Sequence, residues 1–243
     1  MYRLLLPRES LRGPDGLRLG AAAGASLDFH DFRDYHPGDD LRRLDWGVYA
    51  RTDREVVRLY REEICPHLDL FVDTSASMSL PGTRKAEALA SLLSTLSSAA
   101  TSSHCSFSKN NWDAMHTAKA RVHGIRIFIS DLLFPSDPTP LLAPLADGAA
   151  ALHVVQLLAA EEEDPALSGA HELVDAETGE HLEALLDAPT LASYRAALAA
   201  HRDRWHQACR RLGATLSTLT DATVLTPPGR LLPLEQNAVL EPL

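Results

Sequence analysis

Residues 68–78, LDLFVDTSASM, constrain this chain more than any other stretch. Leu68, Leu70, Phe71 and Val72 form an apolar run interrupted only by Asp69, and the sequence then turns polar in Asp73, Thr74, Ser75, Ala76 and Ser77. A run of that length, bounded by polar residues, predicts a strand buried on both faces. Residues 125–130, IRIFIS, repeat the pattern and are followed by Asp131. Ligands of open α/β sheets bind at the carboxyl ends of strands, so two parallel strands ending in Asp at one rim would set two acids across one crevice. Such a crevice, with the hydroxyls of Ser75 and Ser77 beside it, suits a hard cation. Mg²⁺ takes oxygen ligands, one or two of them carboxylates, and keeps several waters. Asp, Ser and Thr are also the preferred helix caps, and a helix is expected to follow over about residues 83–98, so capping stands as the alternative.

Other segments fill in a layered architecture. Residues 151–158, ALHVVQLL, read as a further buried strand, with His153 a satisfied core residue, and residues 214–220 as a last strand. Apolar positions 86, 89, 92, 93, 96 and 100 mark one face of a helix, and residues 190–212 a long amphipathic helix closed by Gly213. Residues 112–122 are expected to form a short helix ending near Gly124, and residues 171–175 and 176–182 two short strands around Thr178-Gly179. The acidic run from Glu161 to Asp164 reads as a solvated loop. Alternating strands and helices predict an α/β fold, with a mainly parallel central sheet covered by helices on both faces. An irregular or β N-terminal extension precedes it. The expected divisions are 1–62, 63–222 and a C-terminal tail, 223–243, lying on a surface.

Residues 28–51, DFHDFRDYHPGDDLRRLDWGVYAR, are dense in Asp, Arg and aromatic residues around a turn at Pro37-Gly38. They read as a packed loop in which Arg33, Arg42 and Arg51 bond Asp39, Asp40 or Asp45. Phe29, Phe32, Tyr35 and Trp46 would be its apolar anchors. The loop would brace the sheet or offer a partner surface. Residues 55–61 alternate like a strand, which could pair with the strand that begins near Leu68.

Composition narrows the function classes. Acidic residues outnumber basic ones 33 to 23, giving a formal net charge of −10, which argues against a nucleic-acid-binding surface. Cys65, Cys105 and Cys209 are widely spaced, which supports neither a zinc ribbon nor a disulfide framework. No segment has the ~18 apolar residues of a membrane span, and the first ten residues lack the pattern of a signal peptide. A cytoplasmic protein is the expectation.

The sequence DTSASM, followed by a helix and later by a strand ending ISD, resembles a von Willebrand factor A-type domain with its metal-ion-dependent adhesion site. The spacing F-x-x-x-R-x-Y-x-x-G-D-D-x-R-x-x-D-W-x-x-x-A-R over residues 29–51, and LVDAETGE at 173–180, resemble the bacterial family called domain of unknown function 58. The motif residues Arg33, Tyr35, Gly38, Asp39, Asp40, Arg42, Asp45, Trp46 and Arg51 carry that likeness. The resemblance implies a von Willebrand factor A-like, Rossmann-type fold. It also implies a Mg²⁺ or Mn²⁺ ion held by Asp73, Ser75, Ser77 and Asp131, with an open position for a partner's carboxylate. Members are often encoded beside MoxR-type AAA+ ATPases, so the resemblance implies such an ATPase or its client as partner. The segment between the first helix and IRIFIS is shorter than in the family, with SHCSFS as a remnant strand. No metal-site threonine is evident; Thr101, Thr117, Asn110 and Asn111 are the available substitutes.

The expected function is a non-catalytic interaction module. A Mg²⁺-dependent hydrolase or phosphotransferase using Asp73 and Asp131 is the alternative, and a metal-free scaffold is the third reading. The chain has Asp-x-Ser where a haloacid-dehalogenase-type enzyme has Asp-x-Asp. Ser75 lacks a Gly-x-Ser-x-Gly elbow, and residues 81–85 lack the P-loop spacing.

Overall fold

The computed structural model describes residues 2–6, 27–62, 67–111, 120–226 and 230–243. The elements, in chain order, are β1 (Tyr2–Leu4), β2 (Leu27–Asp34), α1 (Trp46–Thr52), β3 (Val56–Glu62), β4 (His67–Val72), α2 (Lys85–Ser102), β5 (Ser106–Asn111) and β6 (Ile125–Ser130). They continue with α3 (Pro138–Ala146), β7 (Ala151–Leu158), α4 (Ala160–Glu163), β8 (Gly169–Val174), β9 (His181–Leu186), α5 (Ala188–Arg211), β10 (Thr215–Thr220), α6 (Asp221–Leu225), α7 (Leu232–Gln236) and β11 (Leu240–Pro242). The chain divides into two units, residues 8–65 and residues 1–7 with 66–243.

In the larger unit, β10, β7, β6, β4 and β5 form a five-stranded, all-parallel sheet in that order. This is the expected α/β architecture. Side chains alternate across each strand, which explains why β4 and β6 are apolar on both faces. Leu68, Leu70, Val72, Ile125, Ile127 and Ile129 pack with Ala88, Leu92, Leu96 and Ala99 of α2. Phe71, Phe128 and Val154 point the other way, onto Leu142 and Leu145 of α3 and Trp205 and Ala208 of α5. Asp69 lies among the buried residues because its carboxylate accepts bonds from Ser108 Oγ at 2.7 Å and Arg121 N at 3.2 Å and pairs with His67 at 3.1 Å.

Several expectations need correction. The segment after β10 is not a surface tail: Val224, Leu231, Leu234, Val239 and Leu240 are buried in the α2 side of the core. Their apolar spacing outweighs the prolines that suggested a loose end. β11 pairs antiparallel with β1, so the first residues belong to this unit rather than to the N-terminal one. β3 pairs with β2, not with β4. β2 is hidden in the sequence because its charged residues obscure its alternation. The strands at 171–175 and 176–182 are β8 and β9, paired from Gly169↔Leu186 to Val174↔His181, and residues 175–180 form the connection. The run Glu161–Asp164 is no solvated loop. Glu162 bonds Lys85, Glu163 bonds Arg202 and Asp164 bonds Arg195. The helix expected at 112–122 falls mostly outside the described residues, as do Cys65 and Thr117.

In the smaller unit the Arg–Asp motif works largely through caps. Arg33 pairs with Asp39 at 2.6 Å, and that bond holds the Asp39 carboxyl below its ordinary range. Asp40 instead accepts the backbone N–H of Arg42 at 3.0 Å, capping a short 3-10 turn, and Asp45 caps α1 through Gly47 N and Val48 N. Arg51 bonds the Gly47 carbonyl. Orphan N–H groups at helix starts claim the acids that sequence spacing offered to the arginines. Gly38 takes φ +109°, open only to glycine at low cost. Tyr35 is half-buried, its N–H bonded to the Glu55 carbonyl, whereas Trp46 is exposed and meets Tyr49 edge-to-face instead of anchoring a core. The side chain of Phe29 lies outside the described residues.

His153 is the satisfied core residue expected of it, bonded to Thr215 Oγ1 at 2.7 Å. Burial pushes its pKa from the ordinary 6.5 down to about 4. The folded state therefore holds the neutral ring, and this contribution is present above pH 6.5 and lost as pH falls toward 4. Urea denaturation at pH 7 and 4.5 should show the wild type losing about 1–3 kcal/mol more on acidification than His153→Asn. Equal losses in the two proteins would contradict this assignment.

Candidate functional site

The carboxyl ends of β4 and β6 build the site. Their parallel register sets Val72 against Ile129, and Asp73 N continues the ladder by donating to the Ile129 carbonyl at 2.9 Å. Asp73 and Asp131 therefore leave neighbouring strands at one rim, and both line a single cleft of about 630 Å³. Ser75 and Ser77 line it too, together with Thr74, Ser136, Asp175 and Glu177, and Leu133, Phe134 and Leu141 supply apolar wall. The four sequence-predicted ligands are thus brought together. Four carboxylates face this cleft, and no lysine, arginine or histidine lines it among the described residues.

Each predicted ligand is held differently. Asp73 is buried, with Oδ1 accepting Ser75 N at 2.9 Å and Oδ2 accepting Ser130 Oγ at 2.6 Å. The capping alternative is not met: that first bond goes to Ser75 N, ahead of the 3-10 turn, and neither that turn nor α2 has a side-chain cap. The serine hydroxyls do no capping: Ser75 Oγ and Ser77 Oγ face each other at 3.1 Å. The helix expected over about residues 83–98 is α2, which begins at Lys85 after a 3-10 turn at Ala76–Ser79. Asp131 Oδ1 accepts Leu133 N at 3.0 Å, and its Oδ2 receives Lys85 Nζ at 3.0 Å. Leu132, directly after it, is buried at φ +60°. A non-glycine residue there carries strain of order 1–3 kcal/mol.

Lys85, Ser130 and Glu177 are parts of the site that spacing alone did not reveal. Lys85 is fully buried and also pairs with Glu162 at 3.0 Å. Its position was a readable signal, since a cation in the first turn of a helix opposes the macrodipole and needs a specific partner. Glu177 comes from the β8–β9 connection. Its Oε1 accepts Ser77 N at 2.8 Å and its Oε2 accepts Ala76 N at 3.3 Å. These N–H groups hold its carboxyl below the ordinary range, while nearby Asp131 pushes the other way. Asn111 ends β5 opposite Val72, but the cleft lining includes neither it nor Asn110, whose amide donates to Ser108 Oγ. Thr101 bonds its own helix at the Ser97 carbonyl.

The donor set can be weighed for a cation. Among the described residues, no three His, Cys, Asp or Glu side chains lie close enough to share an ion. What the cleft offers is hydroxyl oxygen from Ser75 and Ser77, backed by the carboxylates of Asp73 and Asp131, whose oxygens each accept one hydrogen bond and keep a second lone pair. This fits a hydrated hard cation that keeps most of its waters and does not fit a soft or fully dehydrated metal. Lys85 behind Asp131 offsets part of the negative charge. Lys85→Met should lower stability by roughly 3–5 kcal/mol, because it strands buried carboxylates. Asp131→Asn in the same chain should recover part of that loss, as read by urea denaturation of the single and double variants. A double variant no more stable than Lys85→Met would contradict the pairing.

Comparison with known proteins finds partial likenesses. Residues 31–103 match the family model described as "Protein of unknown function DUF58". Over 63 residues the chain is 41% identical to Uncharacterized protein Rv1480 of Mycobacterium tuberculosis and to Uncharacterized protein Mb1516 of Mycobacterium bovis. The match covers 26% of this chain and about a fifth, 20%, of each relative's length. No solved structure matches the chain. The matched segment, residues 31–103, takes in both the Arg33–Arg51 motif and the Asp73–Ser77 loop.

Proposed function

We propose that this protein is a non-catalytic interaction module whose cleft binds a Mg²⁺ or Mn²⁺ ion and, through it, an acidic side chain of a protein partner. The observation that carries this reading is the meeting of Asp73, Ser75, Ser77 and Asp131 in one cleft free of basic lining residues among those described. Ser75 and Ser77 are neutral ligands. A cation held largely by hydroxyls and water keeps much of its charge, and so attracts a carboxylate from outside. The DUF58 match, together with the family's association with MoxR-type AAA+ ATPases, makes such an ATPase or its client the partner we propose. Assembly or activation of other proteins is the process that pairing serves. The Arg33–Arg51 motif would be a partner surface or a brace. We place the protein in the cytoplasm; among the described residues no helix is long and apolar enough to cross a membrane.

The hydrolase alternative has less support. The hydroxyl of Ser75 faces another hydroxyl instead of a base, and a nucleophile needs a base within reach to be activated. Titration calorimetry should show heat on adding Mg²⁺ or Mn²⁺ to the wild type and none with Asp73→Ala. Absence of heat in both would leave the metal-free scaffold. Turnover of generic phosphate esters that is lost in Asp73→Ala would favour the enzyme instead. Capture of a MoxR-type ATPase by the wild type, abolished by chelator, would support the partner assignment.

A further inference from the structure

The β8–β9 hairpin stands as an arm with little packing of its own. Val174, Leu182 and Leu185 are 56%, 63% and 62% exposed, and apart from Leu186 at its base, its residues are at most half-buried. A two-stranded hairpin is marginally stable in water unless something holds it. At its base, β9 runs directly into α5, whose start is capped by Asp187. At the tip, Asp175 Oδ1 accepts both Glu177 N and Thr178 N at 2.8 Å, and Gly179 turns the chain at φ +71°. That turn is built to present Glu177, whose carboxylate closes on the backbone N–H groups of Ala76 and Ser77. The residues contacted lie about 100 positions away in sequence and belong to the loop that carries the predicted ligands Ser75 and Ser77.

We propose that Glu177 is a built-in stand-in for the partner's acidic side chain, and that the β8–β9 hairpin is a latch closing the cleft until a partner displaces it. This rests on the cation-dependent reading given above. An incoming carboxylate seeks the cleft that Glu177 already shares with Ser75, Ser77 and Asp131. The partner must therefore offer an Asp or Glu side chain able to displace the chain's own. Once displaced, the hairpin frees the apolar side chains of Leu173, Val174 and Leu182 to move with it, so that binding at the cleft would be coupled to a change in a surface some distance from it.

Hydrogen exchange on the full chain tests this without any metal. In Glu177→Gln the amides of residues 169–186 should exchange about tenfold faster than in the wild type, with β4, β6 and β7 unchanged. Unaltered hairpin exchange in the variant overturns the latch. With Mg²⁺ bound, the wild-type hairpin should become more protected, because the ion draws Glu177 inward, and the variant should show a smaller gain. A fall in protection with the ion bound overturns the stand-in role. If Mg²⁺ gives no heat with the wild type, the cation reading fails, and the metal-free comparison alone decides whether the latch exists.

Discussion

The parallel pairing of β4 with β6 is the constraint on which the rest depends. Opposing Val72 with Ile129 brings both strands to their ends together, so that Asp73 and Asp131 emerge at one rim. A one-residue slip would turn every side chain to the opposite face, sending Phe71 and Phe128 into the side filled by α2 and the small leucines and isoleucines out of it. The core thus fixes the register, and the register places the acids. Ser130 ties the two ends by donating to Asp73 Oδ2 at 2.6 Å while accepting from Leu132 N at 3.0 Å.

Holding several carboxylates together has an electrostatic cost, and the fold meets it in two ways. Lys85, buried at the start of α2, neutralises Asp131 from behind and is itself shared with Glu162. Backbone N–H groups serve Asp73, Asp131, Asp175 and Glu177. Asp221 shows the same device away from the cleft, where it is buried and accepts from Arg84 N and Ala160 N, tying α2 and α4 to α6. Negative charge remains on the cleft side, where a cation would relieve it. The strained backbone at Leu132 lies beside the same rim, in keeping with the tendency of strain to gather at functional sites.

How much of this was legible in the sequence follows from what each residue touches. The strands at 68–72, 125–130 and 151–158 could be read because burial on both faces demands unbroken apolar runs. Helices α2 and α5 could be read because each buries one face. β5 was harder, since SFSKNN is an edge strand with mostly exposed side chains, and β2 was read as a loop because its charges obscure its alternation. Asp73, Ser75, Ser77 and Asp131 were visible as a set because they sit at strand ends. Glu177 was not, because its role depends on a hairpin whose tip lands on a loop far away in sequence, and no local pattern encodes that landing. Asp40 and Asp45 of the Arg33–Arg51 motif were misassigned because spacing cannot tell a cap from an ion pair, whereas Asp39 does pair with Arg33.

The central claim is that one rim of the sheet is a hard-cation site. The most direct measurement is anomalous diffraction from crystals of the protein soaked in Mn²⁺. The account predicts a peak in the cleft within coordination distance of Ser75 Oγ and Ser77 Oγ, with Asp73 and Asp131 reached directly or through water. A cleft without a peak at Mn²⁺ concentrations that occupy other sites, or a peak bound only at surface acids elsewhere, would contradict it.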